Sequence, residues 1–75
     1  MNTQANPTEF ETDGQGQLDA GFLFASFKNT GTTDAIVNGT ILSSGEAKGY
    51  PFVGKVYESI SYDCQESTLR ILHIL

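Results

Sequence analysis

The chain has 75 residues, and its nine acidic and four basic side chains give a net charge of −5, which bounds it to one small, acidic domain. The single cysteine, Cys64, excludes an intrachain disulfide, and the single histidine, His73, leaves a Cys/His zinc site two ligands short. A core of this size supplies about 3–5 kcal/mol without a staple, so a homo-oligomer, or docking on a larger assembly, is the expected further source of stability.

Residues 1–19 are polar and carry Glu9, Glu11, Asp13 and Asp19 with no Lys or Arg. They lack the basic and apolar regions of a signal peptide, which points to synthesis in the cytoplasm. Composition allows two readings of this stretch: a disordered terminus, or an extended arm that orders on a neighbouring subunit with Phe10 as its anchor. A short strand around Thr8–Thr12 fits either. The domain proper is placed at residues 20–75.

Ala20 to Lys28 reads as the first firm strand, with Phe22 and Phe24 on one face and Leu23, Ala25 and Phe27 on the other. Both faces are apolar, so the strand is either central or has one face against a partner. After a turn around Gly31, Ile36-Val37 and Thr40-Ile41 flank Asn38-Gly39. This is the strongest local signal in the chain: a two-residue type I′ turn needs positive φ at both central positions, which Asn tolerates and Gly accepts freely. Ser43-Ser44-Gly45-Glu46 is the next turn. Ala47–Phe52 is a weak strand that Pro51, having no N–H, confines to a sheet edge or a bend.

Val56–Tyr62 alternates Val56, Glu58, Ile60 and Tyr62 against Tyr57, Ser59 and Ser61, as a strand does. Asp63–Ser67 turns the chain. Thr68–Leu75 closes it as a strand whose second half is apolar on both faces, so its end is expected to be paired and buried. The pattern predicts an all-β fold, a small antiparallel sandwich or barrel of five or six short strands.

No stretch carries recognisable reaction chemistry, and no catalytic, cofactor-binding or metal-ligating residues are assigned. Cys64 and His73 lack a third supporting group. Glu9, Glu11 and Asp13 alternate along one side of a strand, but without the Gly-centred loop of a calcium site they read as solvated charges. The four cations are scattered, so nucleic-acid binding is not expected, and no apolar run approaches a membrane span. An acidic inhibitor that occupies a nucleic-acid site is a thinner possibility. Tyr50, Phe52, Tyr57 and Tyr62 form an aromatic set that belongs either to the core or to a face that stacks on a sugar or packs on a protein.

The stretch from Phe27 through Asn29-Thr30-Gly31, Val37-Asn38-Gly39 and Leu42-Ser43-Ser44-Gly45-Glu46 resembles hairpins of small β-rich structural proteins from tailed bacteriophages. The resemblance covers about a quarter of the chain and implies a virion component, such as a capsid auxiliary or decoration protein, with no catalytic residues to transfer. Its expected partners are the major capsid protein or another virion protein and further copies of itself, through Phe10, Phe22, Phe24 and Phe27. The alternative is a small soluble β module that binds a glycan or a host protein through Tyr50, Phe52 and Tyr57.

Overall fold

The computed structural model describes residues 6–75. It contains eight strands: β1 (Pro7–Thr12), β2 (Gln15–Leu18), β3 (Phe24–Asn29), β4 (Ala35–Val37), β5 (Thr40–Leu42), β6 (Ala47–Tyr50), β7 (Ile60–Asp63) and β8 (Leu69–Ile74). They form two four-stranded antiparallel sheets, ordered β1-β8-β3-β6 and β2-β7-β4-β5. The all-β expectation and the sandwich alternative hold. The count of five or six strands and the barrel alternative do not: the sheets stay open, and two further strands come from the N-terminal stretch.

Those two strands lie in residues 7–18, which the composition assigned to a polar arm. β1 pairs with β8 along six residues, and β2 pairs with β7 along four. The short strand allowed around Thr8–Thr12 is β1, while polar composition concealed β2; both are edge strands with one face in water, where Thr, Gln and Glu cost nothing. Residues 1–5 of the expected arm lie outside the described residues. The alternating carboxylates find a structural use: Arg70 Nε donates to Glu9 Oε1 and Arg70 Nη1 to Glu11 Oε1, each at 3.0 Å. Being about half exposed, these pairs clip β1 to β8 and add little to stability.

The Asn38-Gly39 turn is as the sequence predicts, with φ of 52° and 75° between paired Val37 and Thr40. It is also the one place where consecutive strands are neighbours in a sheet. Every other connection crosses from one sheet to the other. β6 is an edge strand that stops before Pro51, as a residue without an N–H requires.

Inward-facing side chains of the two sheets make one core: Ala25, Phe27, Leu69 and Ile71 from one, Leu18, Ala35, Val37, Leu42 and Ile60 from the other, with Phe22 and Cys64 from connections. Phe27 and Tyr62 meet across the gap with ring centroids 6.4 Å apart. The first firm strand starts at Phe24, not Ala20, because residues 19–23 form the crossover from β2. The closing strand is paired on both sides, between β1 and β3, as its expected pairing requires. The expected burial of its end fails: Leu75 is exposed, because it lies past the last residue paired in the sheet.

Asn29, fully buried at the end of β3, joins the two sheets. Its Nδ2 donates to the carbonyls of Thr33 (2.7 Å) and Leu42 (2.8 Å), and its Oδ1 accepts from Gly31 N (3.0 Å) and Ser67 Oγ (2.6 Å). A side-chain amide has two donors and two acceptor sites, so every one is used. Gly31 sits so close to the β7–β8 turn that a Cβ there would fall 2.1 Å from Ser67 Oγ and 2.7 Å from the backbone nitrogen of Thr68. The surrounding turns are closed locally. The Ser43 backbone N–H donates to Glu46 Oε1 at 2.7 Å and holds that carboxyl below its ordinary pKa.

Asn29→Ala strands buried groups on both sheets and is expected to cost about 3 kcal/mol or more in urea denaturation. Gly31→Ala should cost about 2 kcal/mol by forcing the turns apart. Gly49→Ala, where an added Cβ meets nothing within 4 Å, should stay within about 0.5 kcal/mol of the parent; equal losses at all three positions would contradict this account of the lock.

Candidate interaction surface

The crossovers sort the surface into two unlike ends. One end gathers the turns at residues 13–14, 30–34, 43–46 and 63–67, which contribute Asp13, Asp34, Glu46, Asp63 and Glu66 and no Lys or Arg. The other end carries the β2–β3 crossover, the Asn38-Gly39 turn and the long β6–β7 connection, residues 51–59.

That connection replaces most of the strand expected over Val56–Tyr62; only Ile60–Asp63 is extended and paired. The alternation of Val56, Glu58 and Ile60 therefore does not mark a buried face. Ile60 is buried, while Val56 is 59% exposed, Phe52 62% and Val53 58%. The loop is tied down at Tyr57, whose backbone N–H donates to the Phe22 carbonyl and whose carbonyl accepts from Gly21 N, both at 2.9 Å. Its ring stacks on Phe22 with centroids 5.0 Å apart and planes 7° from parallel, and its hydroxyl donates to the Pro51 carbonyl. Residues 51–56 are thus held out from the sandwich by a fixed stem.

Beside the projecting segment lies a groove of about 600 Å³, walled by Tyr50, Val53, Lys55, Val56, Glu58 and Ile60 among others. Tyr50 packs edge-on against both Phe27 and Tyr57, with Lys48 Nζ 5.7 Å from its ring centroid, and its hydroxyl is buried without a hydrogen-bond partner. Of the aromatic set, Tyr50, Tyr57 and Tyr62 join the core cluster and Phe52 alone stands in solvent.

The four phenylalanines expected to carry contacts do not gather on one surface. Phe22 and Phe27 are fully buried and hold the core. Phe10 is half-buried on β1, edge-on to His73 at 6.1 Å, and Phe24 is half-buried on the outer face of β3, opposite Ile74. Of the exposed residues, Phe52 already stood among the aromatics of the expected alternative binding face, whereas sequence periodicity missed Val53 and Val56. Their signal was the punctuation around them: Pro51 and Gly54 bracket Phe52-Val53, and Gly54 takes a φ of 89°, which ends a strand.

Cys64 and His73 are not brought together. Cys64 lies in the β7–β8 turn at the acidic end and His73 near the far end of β8; about 13 Å of strand runs from Leu69 to His73. The thiol is fully buried and donates to the Thr12 carbonyl at 3.3 Å. Burial pushes its pKa up, and the nearby Asp63 and Asp13 add to the shift. His73 borders a smaller cavity of about 320 Å³ with Phe10, Leu18, Phe22 and Leu75, and its buried Nδ1 has no partner. Among the described residues, no group of three or more His, Cys, Asp or Glu side chains could hold a metal ion.

Comparison with family models, with curated proteins and with solved structures finds no match to this chain.

The state of Cys64 is open to direct measurement. A thiol that is protonated and enclosed should react with an aromatic disulfide reagent only after denaturant is added, and faster as pH rises; stoichiometric labelling of the native protein within seconds at neutral pH would contradict its placement.

Proposed function

We propose that this chain is a non-enzymatic structural protein that acts through protein–protein contacts at the end bearing residues 51–56. The observation that carries this reading is the cluster of Phe52, Val53 and Val56, each more than half exposed on a loop that is fixed at Tyr57. In a chain this small, three large apolar side chains held in water on a rigid support are a cost that a partner removes. Some of the groups that could offer reactive chemistry are engaged elsewhere: Cys64 is enclosed, and the carboxylates of Glu9 and Glu11 hold Arg70.

The resemblance of the Phe27–Glu46 stretch to hairpins of tailed-phage structural proteins supplies the setting. In this reading the chain is a virion component, an auxiliary or decoration protein on the capsid, bound to the major capsid protein or another virion protein. A glycan-binding module is the weaker reading, since stacking on a sugar needs open aromatic faces and only Phe52 offers one.

The test is cosedimentation of the tagged protein with phage particles whose genome encodes it. The parent protein should pellet with particles, and Phe52→Asp with Val56→Asp should reduce retention about tenfold or more, as removal of a central apolar anchor does. Protein that remains in the supernatant at every concentration would overturn the reading.

A further inference from the structure

The exposed cluster has two properties that together select a partner. First, it is a projection beside a hollow: Phe52 stands out at 62% exposure, while its neighbours Val53, Lys55 and Val56 form walls of the adjacent 600 Å³ groove. The groove is lined by Ile60 and Tyr50 together with polar Asn38 and Ser59, and its volume exceeds that of a phenylalanine ring. Second, the groove carries one charge of each sign, Lys55 and Glu58, and among the described residues neither forms an ion pair.

A patch that contains both a knob and a hole, and both a cation and an anion, meets the first requirement of a two-fold contact, in which residue i meets residue j and j meets i. We infer that this end of the molecule binds the same end of a second copy across a two-fold axis. Phe52 of each copy fills the groove of the other, and Lys55 faces Glu58 of the second copy. The inference rests on the reading of residues 51–56 as a protein-contact surface and makes a second copy the partner that covers Phe52, so that the dimer is the species that meets a particle and Phe52 acts there through dimerisation.

The charge distribution favours this arrangement over other self-contacts. Five carboxylates line the turns of the opposite end with no cation among them, so contact through that end would press like charges together. Pairing through the loop end puts a sandwich length, about 20 Å for a six-residue strand, between each acidic end and the axis. The acidic ends then lie far beyond the screening length of about 8 Å at physiological ionic strength, and their repulsion vanishes.

The test uses the full chain, purified alone, in sedimentation equilibrium over a concentration series. The parent should dimerise, with a dissociation constant of about 1–100 µM for an interface near the lower size limit. Phe52→Asp should weaken association about tenfold or more, with an unchanged far-ultraviolet circular dichroism spectrum showing that the fold persists. Lys55→Glu and Glu58→Lys should each weaken it about fivefold, and the double reversal should restore it to within about threefold of the parent, because the facing pair is then re-formed with exchanged signs. A protein that stays monomeric at millimolar concentration overturns the inference, as does a dimer indifferent to Phe52→Asp or a double reversal weaker than either single change. Particle binding separates this from the broader reading: a monomer that still pellets with particles through Phe52 removes the two-fold dimer alone, whereas a dimer that never pellets removes the virion role alone.

Discussion

The fold depends on one buried amide. A two-layer sandwich with so thin a core is weakest where its turns meet, because backbone carbonyls and N–H groups there have no ladder to pair with and no water to replace it. Asn29 meets that need at the end of β3, reaching Thr33 before β4, Leu42 in β5, Gly31 in its own turn and Ser67 in the β7–β8 turn. Its own backbone is paired as well, with Asn29 N donating to the Glu46 carbonyl and its carbonyl accepting from Gly45 N. The two carbonyls on one side and two donors on the other leave only one orientation for the amide, so the residue sets the relative position of the sheets as well as joining them. Gly31 follows from the same constraint, since the turn must come close enough to Ser67 for both to reach Oδ1.

With the acidic end closed by that polar lock, the opposite end is finished by aromatic packing. Phe22, Tyr57, Tyr50, Phe27 and Tyr62 form a chain of ring contacts that runs from the β2–β3 crossover into the core. The two ends therefore differ in chemistry: one is acidic, with its hydrogen bonds turned inward, and the other displays apolar side chains beside a groove.

Much of the architecture could be read from residues whose effect is local. Asn38-Gly39 dictates a turn whatever surrounds it, Pro51 stops a strand, and the alternation from Leu69 to Ile74 marks a strand with few rivals. What could not be read depends on contacts distant in sequence. β1 and β2 are polar edge strands that exist because β8 and β7 offer them partners, so the first was legible only as a short strand of unknown partner and the second not at all. The same blindness hid where strands begin: Phe22-Leu23-Phe24 reads as the start of a strand although residues 22–23 belong to a crossover, and Val56-Tyr57-Glu58-Ser59 looks like a strand when nothing says its pairing edge is absent. Asn29 is the clearest case, since a lone Asn after a strand reads as a turn residue, and only the assembled fold shows it surrounded.

The position of β8 has a consequence for how the molecule comes into being. It is the last of the eight strands to leave the ribosome, yet it lies between β1 and β3 in the middle of its sheet. Until it arrives, β1 has no partner in that sheet, and the β3–β6 pair is a two-stranded ribbon, marginal in water. Only the β4–β5 hairpin closes a short loop, while the remaining pairings wait on segments tens of residues apart, the kind of topology that folds over milliseconds to seconds. A growing chain therefore carries its apolar strands unprotected until synthesis has passed Ile74, and its structure arrives late and all at once.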